Sequence, residues 1–353
     1  MRKLSMHRNR NYITRRAAYS VGLVVVFVRF LFPAPVFAQE KASQLPPETP
    51  RVRIAYTSLS GNMAPLWVAG EKGYFKEYGL TVDQLYTRTV SGTQAVLSGD
   101  VQLIYGACAQ VMSARRAGAD LVLIASTIHY NPYALVSHYS KNDSQQLLGK
   151  RIAVNQLQDA IHVSARVALQ RVGVNPDAVI YVPIGSTPDR LVAAQTGVTE
   201  AAMYGGPLEV PIERGMNVLV DLFEQKIPYC GGGIGVSENF LKRYPRAVEA
   251  FLRGFLKGNA YCFNGNRNTV KATLARILKL NVTEKKTDQI YQYLKNNAKY
   301  PAVTPEGVVA TIDILSQQDR SWLNLKPELF YDNTILKKLD KEGFVEAVHR
   351  DVR

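Results

Sequence analysis

Hydrophobic and polar positions along this chain change period in a regular order. Arg51–Ser58 (RVRIAYTS) is a short β-type run. After Leu59-Ser60-Gly61-Asn62 a helical pattern runs to Lys72, with Pro65 suited to its first turn and Gly73 to its end. Next come a strand over Leu80–Tyr86, a helix from about Thr93 to Leu97, a strand over Val101–Tyr105 and a helix from about Ala109 to Ala117. Leu121–Ser126 (LVLIAS) closes the series as another strand. Strands alternating with helices predict an α/β protein with a parallel, doubly wound sheet.

The same grammar then restarts. Arg53-Ile54-Ala55-Tyr56 recurs as Arg151-Ile152-Ala153-Val154, and Leu97-Ser98-Gly99 recurs as Gln195-Thr196-Gly197, both at an offset of 98 residues. Between these anchors both copies run strand, helix, glycine turn, strand, with Gly79-Leu80 in one and Gly173-Val174 in the other. Two α/β lobes of similar plan follow, over residues 51–133 and 134–222. Residues 223–353 are predicted to return to the first lobe and add C-terminal helices. Pro245 opens one helix, with Val248, Phe251, Leu252 and Phe255 on a shared face. Further helical blocks start near Thr304-Pro305-Glu306 and near Asn333, while Lys285 and Lys286 read as a solvated face.

The first 38 residues differ from the rest. Arg2, Lys3, Arg8, Arg10, Arg15 and Arg16 precede an apolar run from Ala17 to Ala38 that ends in Val36-Phe37-Ala38, the spacing a signal peptidase reads. A membrane anchor is the competing reading, disfavoured by Arg29, Pro33 and Pro35 within the run. Thr14-Arg15-Arg16 is a weak match to a twin-arginine signal, and the lack of a cysteine near Ala38 disfavours a lipid anchor. Residues 39–50 (QEKASQLPPETP) form a polar, proline-rich linker. The whole chain carries 43 Lys+Arg against 29 Asp+Glu, a net charge of +14 over 353 residues. Seven of those basic residues and no acid lie in the first 38 positions, which leaves 36 against 29, or +7 over 315 residues. That remainder forms no basic stripe with interleaved aromatics, so nucleic-acid binding is not expected. A hydrophobic share of 46% excludes a disordered chain.

Ligands of open parallel sheets bind beyond the carboxyl ends of the strands. Four turns qualify: Ser58–Met63 and Gly106–Gln110 in the first lobe, Asn155–Ala160 and Tyr204–Pro207 in the second. The offset relates them in pairs, Ser60 with Gln158 and Cys108 with Gly206. Two facing lobes would gather them around one cleft, with Ser58, Ser60, Gly61, Asn62, Cys108, Asn155, Gln158, Asp159, Tyr204 and Gly205 as candidate ligand contacts. Each has a structural alternative. Ser60 and Asn62 suit a helix cap, Asp159 suits the cap of a helix beginning at Ala160, and Cys108 suits a small buried position. Tyr130, Tyr133, Tyr204 and Tyr229 flank the expected cleft, and aromatic walls fit a small ligand with an apolar or ring-bearing part. Arg88 is the nearby cation the sequence nominates.

Several sharper chemistries are excluded. Gly231-Gly232-Gly233-Ile234-Gly235 lacks the Gly-Lys-Ser/Thr ending of a phosphate loop and reads as a bend where the chain re-enters the first lobe. Three cysteines and five histidines are scattered without metal-ligand spacing, and no Gly-x-Ser-x-Gly elbow occurs. No catalytic residue, metal or cofactor is expected.

The run from Ala55-Tyr56-Thr57-Ser58 to Leu66-Trp67-Val68-Ala69, then Glu71-Lys72-Gly73-Tyr74-Phe75 and Tyr78-Gly79-Leu80, resembles the opening of substrate-binding proteins of ABC importers. The matching group is the nitrate/sulfonate/taurine type, which includes pyrimidine-precursor binders similar to yeast thiamine-pyrimidine synthase. Leu97–Val101, Leu148–Ile152, Arg190-Leu191 to Gly197, and Tyr244-Pro245 to Phe251-Leu252 match later landmarks, so the resemblance covers roughly residues 51 to 340. It implies a two-lobed periplasmic-binding-protein fold of type II, crossovers near Tyr130–Ala134 and Leu222–Tyr229, and closure of the lobes around a ligand by hinge motion. It also implies a monomer that delivers a small molecule to an ABC permease in the inner membrane, from the periplasm or the cell exterior. Gln102 and Glu200 stand where the family usually has Asp. An enzyme of the thiamine-pyrimidine-synthase type is the alternative, but that branch depends on a cysteine-rich iron-binding motif that this chain lacks. An exported ligand sensor is a third reading.

Overall fold

Each of the two α/β series builds a five-stranded sheet. The computed structural model describes residues 45–351 apart from Ser60, Arg88, Glu284, Lys295 and Gln318. The expected signal segment, the linker up to Gln44, and the candidates Ser60 and Arg88 therefore lie outside the described residues.

The first lobe starts with β1 (Arg51–Tyr56), α1 (Ala64–Glu71), β2 (Thr81–Tyr86), α2 (Thr89–Leu97), β3 (Leu103–Gly106), α3 (Cys108–Arg116) and β4 (Val122–Tyr130). The chain then enters the second sheet with β5 (Ala134–Ser137), followed by β6 (Arg151–Val154), α4 (Ala160–Arg171), β7 (Ile180–Pro183), α5 (Thr187–Gln195), β8 (Ala201–Tyr204), α6 (Glu209–Glu213) and β9 (Asn217–Asp221). It returns to the first sheet with β10 (Pro228–Val236). The helices α7 (Glu238–Arg243), α8 (Pro245–Asn264), α9 (Arg267–Leu278), α10 (Lys285–Leu294), α11 (Pro305–Ser316), α12 (Thr334–Lys341) and α13 (Phe344–Asp351) complete the chain.

The sheet orders are β2-β1-β3-β10-β4 and β7-β6-β8-β5-β9. Both sheets are mixed, whereas the alternation of strands and helices predicts wholly parallel ones. In each, the strand that has just crossed from the other lobe, β10 or β5, runs antiparallel to both neighbours. A crossing strand arrives with no helix to turn it round, so it inserts in the opposite sense. The two connections run side by side: the Asn131 N–H donates to the Ile227 carbonyl at 2.8 Å, and the Leu222 N–H to the Tyr133 carbonyl at 3.1 Å.

The 98-residue repeat extends to individual hydrogen bonds. The side-chain oxygen of Gln102 accepts the Arg53 N–H at 2.9 Å, and that of Glu200 accepts the Arg151 N–H at 2.9 Å. In return the Gln102 and Glu200 N–H groups donate to the Arg53 and Arg151 carbonyls. Gly99 and Gly197 share a left-handed backbone, at φ 80° and 75°, in the turns that lead into these pairs. The two positions that depart from the family pattern thus secure the starts of β1 and β6.

Gly231–Gly235 lies within β10, between β3 and β4, rather than forming a bend. A Cβ on Gly233 would stand 2.7 Å from Leu123 and 2.8 Å from the Cys108 sulfur, so the run lets α3 and β4 approach the strand closely. Among the C-terminal helices, α8 packs on α1. Its predicted stripe of Val248, Phe251, Leu252 and Phe255 is buried, and Phe251 stacks on Phe75 at 5.4 Å. Gly258 permits the approach, since a Cβ there would lie 2.2 Å from the Pro65 carbonyl oxygen.

Candidate functional site

Strand ends from both sheets meet at a cavity of about 560 Å³. From the first lobe, Thr57 and Ser58 follow β1, Gly106 ends β3, and Asn62 and Met63 precede α1. From the second, Asn155 follows β6, Gly185–Thr187 follow β7, and Gly205 follows β8. Tyr229–Gly232 of β10 and the connecting residues Pro132 and Tyr133 close one side. Such a volume suits a small molecule.

The turns are held from within. The Thr57 N–H donates to the Tyr105 carbonyl at 3.1 Å, and the Tyr105 hydroxyl donates to the Asn62 carbonyl at 2.9 Å. The Asn155 amide donates to Asp159 at 2.6 Å. Ser186 caps α5 by accepting the Asp189 N–H, with a proline in the helix's first turn. Tyr133 lies against Gly205, where a Cβ would come within 2.8 Å of its ring, and meets Tyr229 edge-on at 6.5 Å. Burial raises the Tyr133 phenol above its ordinary range, opposed by the neighbouring Arg190.

Of the expected contacts, the cavity brings together Ser58, Asn62, Asn155, Gly205 and Tyr229. The remaining described candidates stand elsewhere, each for a local reason. Asp159 is the N-cap of α4, with one carboxylate oxygen accepting the Ile161 and His162 N–H groups at 2.9 and 2.8 Å. Gln158 is exposed at φ +64°, and its N–H donates to His162 Nδ1 at 2.8 Å. The Gly61 Cα faces Ile290 of α10. Cys108 is fully buried under Gly233, and burial holds its thiol well above the usual range. Tyr130 lies edge-on to Phe223 at 5.9 Å, outside the cavity. Tyr204, one residue before Gly205, alternates away into the core, where burial pushes its phenol up to about 12.

A fifth turn, Gly185-Ser186-Thr187, escaped the sequence reading, and with it Arg190. The signal available was the helix-start pattern Ser186-Thr187-Pro188-Asp189. Arg190 sits one turn into α5, is 1% exposed, and lines the cavity. Its Nε donates to the Met203 carbonyl at 2.8 Å, Nη2 to the Thr187 hydroxyl at 2.8 Å, and Nη1 to the Gly185 carbonyl. Burial works against its charge, while Tyr133, Asp159 and Asp189 work for it. Among the described residues, no group of three or more His, Cys, Asp or Glu side chains converges as a metal would require.

The family described as NMT1/THI5 like matches residues 60–267, more than half of the chain. This protein is a member of the NMT1/THI5-like family. No curated protein matches the sequence. In fold this family member is similar to the periplasmic aliphatic sulphonate binding protein SsuA from Escherichia coli, at a TM-score of 0.64 and 17% identity over 81% of this chain and 92% of that one. It is also similar to the periplasmic nitrate-binding protein NrtA from Synechocystis, at 0.55 and 12% identity over 88% and 90%. A third likeness, at 0.59 and 15% identity over 83% and 100%, is to a mutant of DSZB in complex with biphenyl-2-sulfinic acid. The two mixed five-stranded sheets are those of a periplasmic-binding-protein fold.

Proposed function

We propose that this protein captures one small polar or anionic molecule between its two lobes and delivers it to an ABC importer. The observation that carries the reading is the cavity at the carboxyl ends of both sheets, where Thr57, Ser58 and Asn62 face Asn155, Thr187 and Arg190. Tyr133 and Tyr229 add an aromatic wall that suits a ring-bearing ligand. Family membership and the fold shared with binding proteins named for a sulphonate and for nitrate support it. The paired connections at Asn131–Tyr133 and Leu222–Ile227 are the natural hinge for closure.

The leader-like first 38 residues support export to the periplasm or beyond. Among the described residues, no helix is long and apolar enough to cross a membrane. Capture rather than conversion is favoured by the described lining, in which no carboxylate or histidine stands ready for proton transfer.

The test uses the chain from Gln39 onward. Mass spectrometry under native conditions identifies any molecule retained through purification, and a thermal-shift screen covers sulfonates, carboxylates, nitrate and pyrimidines. A stoichiometric ligand that raises Tm is the expected result. Turnover of any of these compounds would refute capture in favour of an enzyme of the same fold.

A further inference from the structure

We propose that Cys108 and Cys230 become joined by a disulfide that ties the chain where it leaves the first lobe to the point where it returns; this rests on the export reading above for its oxidant. The structure describes the reduced form, with three free and buried thiols. In it the Cys108 and Cys230 thiols donate to one acceptor, the Ser126 hydroxyl oxygen, at 3.8 and 3.7 Å. Burial holds the Cys108 thiol above the ordinary range, followed by a hydrogen bond and a charge from Cys230, so the two sulfurs act on each other directly. The third cysteine, Cys262, is buried in α8, where burial alone raises its thiol.

The fold brings the pair together although 121 residues lie between them. Cys108 opens α3 and lies against Gly233, whose missing side chain leaves room for its sulfur. The pairing of β10 with β4 slips between Pro228 and Gly231, an irregularity of the kind that re-aims a side chain, and Cys230 lies within it. Both cysteines join one buried cluster with Val111 and Leu123. Both also belong to the first lobe, so a bond between them does not span the hinge. The loop that it closes nevertheless contains the whole second sheet, from β5 to β9. A crosslink over a loop of that length strongly restricts the unfolded chain.

Compartments outside the cytosol supply the oxidant, a disulfide of a small thiol or of an oxidoreductase. Cys230 lines the cavity, so its thiolate attacks one sulfur of that disulfide and expels a thiolate. The Cys108 thiolate then attacks the mixed disulfide at the Cys230 sulfur and expels the second. The protein gives up two protons and two electrons, and the external disulfide becomes two thiols. The raised Cys108 thiol slows this exchange in the folded state, so the bond forms during folding, before α3 closes over β10.

The test refolds the reduced chain from Gln39 onward in oxidised and reduced glutathione, which supplies the oxidant whether or not the chain is exported. Denaturation and alkylation without a reductant then count the thiols by mass spectrometry. The expected result is one label, on Cys262, with the chain two hydrogens lighter and a pair of proteolytic peptides joining Cys108 to Cys230; a chain kept in dithiothreitol takes three labels. The oxidised protein should melt about 5–7 °C above the reduced one, and Cys230→Ser should abolish that difference. If Cys230→Ser fails to fold, the comparison of oxidised and reduced parent decides. Three labels after oxidative refolding, a bond that includes Cys262, or a crosslink between chains overturns the pairing. An oxidised protein that melts no higher than the reduced one overturns the tie between the two ends of the second lobe.

Discussion

Replacing Asp159 by alanine tests whether this residue shapes the site from behind or meets the ligand. Its carboxylate accepts two N–H groups at the start of α4 and the Asn155 amide at 2.6 Å. Loss of a capping acidic residue costs about 0.5–2 kcal/mol. The Asn155 amide, half-buried, forfeits a bond worth about 1 kcal/mol. Together these amount to about 2 kcal/mol. In a unit of about 300 residues each kcal/mol shifts Tm by about 1.5 °C, so calorimetry should show a fall of about 3 °C. Asp159→Asn keeps an acceptor at the cap, and asparagine caps as well as aspartate, so its Tm should stay within about 1 °C of the parent. Ligand affinity should weaken several-fold in the alanine variant, because Asn155 lines the cavity and loses its anchor. The capping argument fails if asparagine costs as much as alanine, since the charge near Arg190 would then be the property that matters.

Further outcomes follow from other parts of the molecule. Arg253, 2% exposed, bonds Glu249 at 2.9 Å and Glu342 at 2.6 Å, so Arg253→Ala should cost about 1.5–3 kcal/mol in urea unfolding, with both carboxylates left to Lys338. Burial opposes ionisation of Glu249, but Lys338 and Arg253 outweigh it and hold its carboxyl below the ordinary range. That contribution is complete above the ordinary carboxylate range and is lost as pH falls through the lowered value, which a Tm series in acid should reveal and Lys338→Ala should blunt. Gly258→Val forces a side chain against the Pro65 carbonyl and Ala69, and should lower stability by at least about 2 kcal/mol in the same unfolding assay. All three cysteines are buried and free, so a thiol reagent at pH 8 should label the native protein slowly and the denatured chain three times.

Much of the architecture was legible because backbone hydrogen bonding and burial impose short periods on the sequence. The order of strands and helices in the first series could be read, as could the strand, helix, glycine turn and strand that repeat it and the stripe on α8 that packs against α1. The offset of 98 residues was visible as two short matches, and the structure shows it reaching Gln102 and Glu200 at the strand starts. Within the cavity, Ser58, Asn62, Asn155 and Gly205 were legible because they follow or approach strand ends, where a ligand meets unpaired backbone. The turn after β7 was overlooked although it carries a clear helix start, because a four-residue strand gives little periodic signal.

What the sequence determined by itself was therefore local and periodic: where strands alternate with helices in the first series, and that one unit is built twice. Direction and depth were decided only in the folded chain. Tyr204 and Gly205 are neighbours in sequence, yet one faces the core and the other the cavity, because the pleat turns successive residues to opposite sides. The glycines of β10 read as a bend until neighbouring side chains showed why this inner strand can carry no Cβ there. In the sequence Arg190 stood only as part of the landmark Arg190-Leu191 to Gly197 and not as a ligand contact. Only the packing of α5 against β8 buried its guanidinium beside the cavity and bonded it to two backbone carbonyls and a hydroxyl, since burial is a matter of distance in space and not of spacing in sequence.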